Sequence, residues 1–402
     1  MHDSLQMIFE RLLDETSMAH HRFLYSQFNL NNRLTGLVGP RGVGKTTLLL
    51  QLIKQHYAES THVFYFSADH IYFKEETIYH FIEELYLKQN ITVFFVDEIH
   101  KYETWNQELK NIYDGFPAIK IFFSGSSSLD LIRGSYDLSR RANIYYLPGL
   151  SFREYLNFSF NTNYKSYSLS ELICNYPKIN KEISNVSSIL GDFHNYLKQG
   201  FYPFFAEDPL SYYQRLLRVI DKTIYEDISN YYSLKTINLR HMSKILNYLV
   251  SIPPGEISTY NLGKNLRIDD KTAANYLTML RETGLVEIIY PQESGNQGLR
   301  KPEKVFLDNT NLHYALGEHR ANHIDLGAIR ELSFIQATKN AGLEVFHSKQ
   351  GDYKIENFTF EIGGKNKTRK QIAGIENAVI VKDDTVTAVK GMLPLLFLGF
   401  LY

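Results

Sequence analysis

The chain has a single cysteine, Cys174, among its 402 residues. One thiol excludes an intramolecular disulfide and any zinc site built on cysteines. It fits a reducing compartment, and a cytoplasmic location is expected. Proline is scarce, at 11 residues, so long proline-rich linkers are not expected. An excess of charge of either sign is lacking too: 43 Lys+Arg stand against 44 Asp+Glu, a formal net charge of −1. Any nucleic-acid binding must therefore come from a local basic patch. The most apolar stretch, Met392 to Tyr402, falls short of the roughly 20 residues a membrane helix needs. It reads as a buried final strand or as an exposed hook for a partner, and no membrane association is expected. His2, Asp3 and Glu10 interrupt the start of the chain, which does not read as a signal peptide.

What is present is an ordinary globular composition, 44% hydrophobic and 22% charged, long enough for two or three domains. Leu5, Ile8, Phe9, Leu12 and Leu13 recur at helical spacing and predict an amphipathic leading helix. Strands are predicted at 33–38, 62–66, 92–96, 119–123 and 143–147. Helices are predicted at 46–57, 78–88 and 105–113. The runs at 92–96 and 119–123 are continuously apolar, as in strands buried on both faces of a parallel sheet. Strand–helix alternation of this kind predicts a doubly wound α/β domain. Beyond Ser151 the pattern turns helical, with a Ser-, Asn- and Tyr-rich exposed connection expected between Asn157 and Ser170 and a break at Gly200-Phe-Tyr-Pro203.

Gly39-Pro40-Arg41-Gly42-Val43-Gly44-Lys45-Thr46 matches the complete G-x-x-x-x-G-K-[ST] phosphate loop, with Thr47 next in the helix it opens. Glycines let the backbone turn with positive φ and approach phosphate oxygens without a Cβ in the way. Successive N–H groups then form an anion nest, and the helix that follows adds its positive dipole end. Lys45 would neutralise the β- and γ-phosphates, and the Thr46 hydroxyl would ligate Mg2+. A chance glycine-rich turn is the ordinary alternative. The position of the motif between an apolar strand and a helix argues against it.

Phe94-Phe-Val-Asp97-Glu98 is an apolar strand ending in two acids, a costly placement unless they meet a cation or water. Asp97 is assigned to the magnesium shell and Glu98 to activation of the attacking water. The 119–123 strand runs into Ser124-Gly125-Ser126-Ser127-Ser128, at the carboxyl end where ligands of parallel sheets bind. Ser124 is the expected γ-phosphate sensor, while other serines of the run would cap a helix at 129–132. Arg133, Arg140 and Arg141 follow. Each is either a solvated basic turn residue or an arginine supplied to a γ-phosphate, in cis or from a neighbouring subunit. Arg140 and Arg141 are carried as candidate catalytic residues.

The first part of the chain resembles a bacterial and archaeal family of AAA-type P-loop ATPases. The residues concerned are G-P-R-G-V-G-K-T-T-L-L from Gly39, F-V-D-E-I-H-K from Phe95, Trp105, the turn Gly125 to Ser128, and L-P-G-L-S-F-R-E-Y from Leu147. The resemblance implies ATP as the nucleotide. It also implies an additional strand between the phosphate-loop strand and the acidic strand, which 62–66 provides. Family members commonly append a C-terminal region containing a winged helix and a domain related to restriction-endonuclease folds.

Helices at 242–250, 259–266 (capped by Ser258) and 270–282, then strands at 285–289 and 305–307 around a turn with Arg300 and Lys301, read as a winged helix-turn-helix. Its third helix would offer Lys271, Thr272, Asn275 and Arg281 to duplex DNA. Asp269, Asp270 and Glu282 dilute that charge, and packing against protein is the alternative. In the last domain, Glu331, Asp352 and Glu361 are candidate nuclease acids. The strand at 358–362 carries Glu361-Ile-Gly363 where an E-x-K lysine would stand. Lys365 would replace that lysine only on an irregular backbone, so a degenerate domain is expected. Lys365, Lys367, Arg369 and Lys370 form a local basic run.

The expected organisation is an α/β doubly wound parallel P-loop NTPase sheet over 1–150, then a helical connection over 151–240. A winged helix-turn-helix over 241–310 and a small α+β endonuclease-like domain over 311–402 complete it. Three functions compete above the ATP and Mg2+ chemistry. The first is an ATPase coupled to DNA-binding-like domains. The second is an ATP-regulated nuclease. The third is a nucleotide-gated switch acting on a protein partner or a homo-oligomer.

Overall fold

The apolar runs that end in glycine, in two acids and in serines all become strands of one parallel sheet. In a computed structural model, which describes residues 2–126, 138, 140–183, 188–253, 257–292, 304–319 and 324–402, the chain divides into two units, Met1–Gly149 and Leu150–Tyr402. The first unit holds β1 (Leu34–Gly39), β2 (Val63–Ser67), β3 (Val93–Asp97), β4 (Lys120–Ser126) and β5 (Asn143–Tyr146). Every pairing is parallel, in the order β2-β3-β4-β1-β5. Helices α1 (His2–Glu15), α2 (Lys45–His56), α3 (Ile78–Gln89) and α4 (Trp105–Gly115) complete the unit. All residues of β1 and β3 are buried, which is why these strands carry no polar alternation.

Sheet order corrects one expectation. The strand lying between β1 and β3 is β4; β2, though between them in sequence, sits at the sheet edge beyond β3. All carboxyl ends share one edge, so Gly39, Ser67, Asp97 and Ser126 are gathered there. Within that edge β4 separates the phosphate-loop strand from the acidic strand, and Gly39 registers with Ser126. Helix α1 buries Leu5 and Phe9, and Phe9 meets Phe64 of β2 at 5.9 Å between ring centroids. Lys54 of α2 donates to the carbonyls of Leu13, Asp14 and Thr16 at 3.0, 3.2 and 3.0 Å, satisfying acceptors that the end of α1 leaves open.

The second unit begins with α5 (Phe152–Phe160), α6 (Leu169–Cys174), α7 (Tyr176–Ile183) and α8 (Ile189–Gln199). Ser151 and Glu154 form a reciprocal capping box at the start of α5. These helices were expected to be a connection. Instead Phe152, Phe193 and Tyr196 share one hydrophobic core with Leu395, Phe397 and Phe400 at the far end of the sequence. The Phe152 and Phe400 rings meet edge-to-face at 5.9 Å. Within the connection expected to be exposed, Tyr167 is buried and its N–H donates to the Phe400 carbonyl at 2.9 Å.

Helix α9 (Tyr212–Lys222) continues through a π-helical turn, Thr223–Ile228, into Ser229–Tyr232. Next come α10 (Thr236–Leu249), α11 (Thr259–Leu266) and α12 (Asp270–Glu282), and an antiparallel hairpin of β6 (Val286–Ile289) and β7 (Lys304–Leu307). Ser258 caps α11 as expected, and Asp269 caps α12. Arg300 and Lys301 lie outside the described residues. Helices α13 (Thr310–His319) and α14 (Leu326–Asn340) lead to a mixed sheet of β8 (Phe346–His347), β9 (Tyr353–Ile355), β10 (Phe358–Gly363), β11 (Ala378–Lys382) and β12 (Met392–Pro394). Its order is β12-β11-β10-β9-β8, with β10, β11 and β12 parallel and β8, β9 and β10 antiparallel. The terminal apolar run is buried, but only three residues form a strand; Leu395–Phe400 is a 3-10 helix. A continuous apolar run has no periodicity to tell the two apart.

One fully buried amide ties the helices of this unit together. Asn311 Oδ1 accepts from the N–H groups of Gly200 and Phe201, both at 2.9 Å, and from the Tyr212 hydroxyl. Its Nδ2 donates to the Tyr196 and Leu197 carbonyls at 3.0 and 2.9 Å. The end of α8 is thereby satisfied by a side chain rather than by water. Among the described residues no helix is long and apolar enough to cross a membrane.

Candidate phosphate-binding site

The loop between β1 and α2 has the conformation an anion nest requires. Gly42 and Gly44 take φ of 81° and 94°, a region costly for any residue with a Cβ. Gly44 is the N-cap of α2 and offers no side-chain cap, so the first helical amides are left for an external acceptor. Pro40 and Val43 are buried, and Arg41, Thr46 and Thr47 reach the surface in part. The Lys45 ammonium folds back onto the carbonyls of Gly39 and Pro40 at 2.9 and 3.0 Å. It is a buried cation already held by oxygen acceptors within the loop.

Across β4, Asp97 is surrounded by hydroxyls. Thr46 Oγ1 donates to Asp97 Oδ2 at 2.6 Å and the Tyr65 hydroxyl donates to the same oxygen at 2.9 Å. Ser124 Oγ donates to Asp97 Oδ1 and accepts from the Glu98 N–H at 3.1 Å. Ser124 is fully buried, and its hydroxyl is engaged with both strand-end residues. The expected sensor of γ-phosphate thus braces Asp97 against Glu98. The Thr46 hydroxyl and the Asp97 carboxylate form a hard-oxygen pair that fits Mg2+.

Glu98 is left-handed, at φ 51° and ψ 37°, a strained conformation of the kind stored at functional sites. Burial raises its carboxyl above the ordinary value, Lys45 opposes that, and Asp97 adds to it. A base made stronger in this way takes a proton more readily at neutral pH. The short turn Ile99–Lys101 brings His100 back onto it, with His100 Nε2 at 3.4 Å from Glu98 Oε2. His100 Nδ1 accepts from the Ser126 N–H at 3.2 Å.

Three residues around this site were missed in the sequence. Tyr65 left a weak signal, because a phenol in a fully buried strand needs a partner. His100 stood inside a motif whose acids drew all the attention. Arg22 left none. It is buried, and its guanidinium donates to the Val43 carbonyl of the phosphate loop and to the Pro148 and Gly149 carbonyls at 2.7 and 2.9 Å.

The arginines are placed elsewhere. Arg140 and Arg141 precede β5, so they lie at the amino edge of a sheet whose phosphate loop is at the carboxyl edge. Arg141 makes a two-pronged pair with Asp114 at 3.0 and 3.1 Å. Neither belongs to the site of its own chain, which corrects any role in cis. Arg133, Ser127, Ser128 and the expected helix at 129–132 lie outside the described residues.

The second acidic set is arranged differently. Glu361 on β10 is 1% exposed, and its carboxylate is paired with Lys367. A Cβ at Gly363 would fall 2.7 Å from Lys367 Cγ and Cδ. The lysine stem therefore lies over the strand where the missing E-x-K side chain would begin. Lys365, the residue expected to stand in, is exposed, and its carbonyl accepts from Lys382 at 3.1 Å. Glu331 accepts from Lys304 and Tyr353, both at 2.5 Å. Asp352 accepts from the Ile362 N–H at 2.7 Å, and burial holds its carboxyl above the ordinary range. Glu331 and Glu361 lie near enough to raise the Asp352 carboxyl further, but among the described residues the three do not come within 4.8 Å of one another. Among the described residues the one group close enough to share a cation is His194, Asp383 and Asp384, where Arg330 already donates to Asp383 at 2.9 Å.

On α12 Lys271 and Asn275 face solvent. Thr272 is consumed by the Asp269 cap, at 2.8 Å through its N–H and 2.6 Å through its hydroxyl. Arg281 lies over the Tyr290 ring at 5.7 Å.

Comparison with known proteins finds two family models that match parts of the chain. Residues 31–156 match a family model described as an AAA domain. Residues 190–322 match one described as a domain of unknown function, DUF8612. No curated protein matches the chain. Among solved structures, AMPPCP-bound DnaA from Aquifex aeolicus is 14% identical over 69% of this chain and 88% of that chain, with a TM-score of 0.27. A structure described as the structural basis for katanin self-assembly is 20% identical over 42% and 59%, with a TM-score of 0.25. PCH-2 from C. elegans is 17% identical over 67% and 68%, with a TM-score of 0.24. Likenesses this low carry no argument about the present chain. The phosphate loop and the whole parallel sheet lie inside the AAA-domain match.

Proposed function

We propose that the protein is a magnesium-dependent ATPase whose nucleotide state drives a conformational change in its C-terminal domains. The observation that carries this reading is the convergence of Lys45, Thr46, Asp97, Ser124 and Glu98 at one sheet edge, beside an uncapped helix N-terminus. Magnesium bound there supplies a Lewis acid that screens the phosphates. The amides from Gly42 to Thr47 and the Lys45 ammonium bind and orient the triphosphate. Thr46 and Asp97 hold the cation, with Asp97 kept in aim by Tyr65 and Ser124. Glu98 accepts the proton of the attacking water.

In this reading α10, α11, α12 and the β6–β7 hairpin form a winged helix that contacts duplex DNA through Lys271 and Asn275. That contact is weakened by salt, as phosphate neutralisation requires. A specific observation favours a second reading, a protein-interaction switch without DNA. Two of the four candidate DNA-reading residues, Thr272 and Arg281, are engaged within the chain, and Asp269 and Asp270 open the helix. In that case Arg140 and Arg141 act on the nucleotide of a second copy, the one arrangement in which the amino edge of a sheet can reach a phosphate loop. Cleavage of nucleic acid is not part of either reading, because Glu361 is neutralised by Lys367.

The test is steady-state ATP hydrolysis with Mg2+, with and without duplex DNA, against Lys45→Ala. Turnover stimulated by DNA supports the first reading. Turnover indifferent to DNA supports the second, and none above the Lys45→Ala blank removes the ATPase.

A further inference from the structure

The geometry points to His100 as a positioning residue for Glu98, one that ties the aim of this carboxylate to the end of β4 and, through it, to the phosphate loop. The inference rests on the ATPase reading above. It begins with a tautomer. His100 Nδ1 accepts the Ser126 N–H at 3.2 Å, so that lone pair is occupied and the neutral ring carries its proton on Nε2. His100 Nε2 lies 3.4 Å from Glu98 Oε2, a close approach that falls short of a hydrogen bond. The imidazole is buried, with 6% of its side chain exposed, and the amide of Ser126 fixes its orientation.

The contact to Glu98 is longer than a tight hydrogen bond, for which about 2.7 to 3.2 Å is usual. It orients the carboxylate without consuming it. The Glu98 backbone is held by the left-handed turn and by an N–H shared between Ser124 Oγ and Asp97 Oδ1 at 3.1 Å each. Lys45, Arg41 and Lys101 act on the carboxylate by charge, and His100 adds a close contact to it.

Ser126 is the last residue of β4, and the sheet registers it beside Gly39, the first residue of the phosphate loop. The links run in order: phosphate loop to Ser126 by strand pairing, Ser126 to imidazole Nδ1 by an N–H, and imidazole Nε2 to Glu98 by close approach. A shift of the loop when phosphate binds moves the Ser126 amide, and with it the imidazole and the carboxylate. Each link is a direct contact, so the coupling needs no distant movement.

The test uses the full chain with His100→Gln, His100→Asn and His100→Ala. Glutamine carries an acceptor oxygen and a donor N–H about as far apart as the two ring nitrogens. Asparagine is one methylene shorter and reaches Ser126 but not Glu98. The expected result is a kcat lowered about tenfold to a hundredfold in His100→Ala and His100→Asn. KM and fluorescent-nucleotide affinity stay within about twofold, as for a loss confined to the chemical step. His100→Gln restores most of kcat, and His100→Ala adds nothing in a Glu98→Gln background. A parental kcat in His100→Ala, or a loss that adds to that of Glu98→Gln, overturns the inference. Nitrogen chemical shifts of His100 in the histidine-labelled chain give a readout independent of turnover, with the Nε2–H tautomer expected. An Nδ1–H tautomer overturns the inference even if the parental chain proves to have no ATPase activity, a result that would sink the parent reading instead.

Discussion

Two strands in this protein end in or carry acids with a lysine close by, and they are built to opposite ends. On β3, Asp97 and Glu98 are surrounded by hydroxyls, a loop with two left-handed glycines and a lysine resting on backbone carbonyls. Each of those partners can exchange its bond for one to a ligand at small cost. On β10, Glu361 is shut in against the Lys367 ammonium, and Glu331 is closed off by Lys304 and Tyr353. There the charge is already neutralised inside the protein. The same residue types make an exchangeable site in one sheet and a sealed ion pair in the other. The difference is which donors the fold brings, and whether they are mobile hydroxyls or fixed ammonium groups.

The comparison breaks most visibly at Glu98. Glu98→Gln should keep nucleotide affinity while kcat falls by about 10² to 10⁴; parental turnover would remove Glu98 from the chemistry. Next, Lys367→Met should leave a buried, uncompensated carboxylate and lower unfolding stability by about 3 to 5 kcal/mol. Adding Glu361→Gln should recover most of the loss. A Lys367→Met chain with an unchanged urea midpoint would show that the β10 site is not sealed. Tyr65→Phe removes one charge-assisted donor from Asp97 and should cost about 1.5 kcal/mol. It is read as roughly a tenfold rise in the Mg2+ concentration needed for half-maximal turnover. No change would mean that Thr46 and Ser124 suffice to aim Asp97.

A pH-dependent contrast concerns Asp308, a half-buried carboxyl raised from 3.8 to about 7, mainly by burial. The native state then holds a proton that the unfolded chain has lost, so stability falls as pH rises from about 4 to 7 and levels off above. Asp308→Asn should flatten that slope in thermal melts taken across the range. An unchanged slope would assign it to other groups.

Legibility followed the range of the interactions involved. The phosphate loop was readable because its glycines, Lys45 and Thr46 act within eight neighbouring residues. The strands were readable because burial on both faces leaves continuous apolar runs. Sheet order was not: β2 stands between β1 and β3 in sequence, and only packing inserts β4 instead. Ser124 was recognised as part of the site, but its bonds to Asp97 and Glu98 were not, since a hydroxyl at a strand end can face ligand or neighbouring strand. The helices from Phe152 to Gln199 looked like a connection because the surface they cover, around Leu395 to Phe400, is at the other end of the chain.

By itself the sequence specified the local groups of the candidate site: a glycine loop, an ammonium, a hydroxyl and two acids, each set by local spacing. Only the tertiary structure decided which groups meet the acids. It set His100 beside Glu98, Ser126 on His100, Tyr65 on Asp97, Arg22 on the loop carbonyl and Lys367 over Gly363. Those pairings depend on strand order and on turns whose outcome is fixed by packing, and a hydrogen bond or ion pair forms only where that packing brings donor and acceptor within about 3 Å.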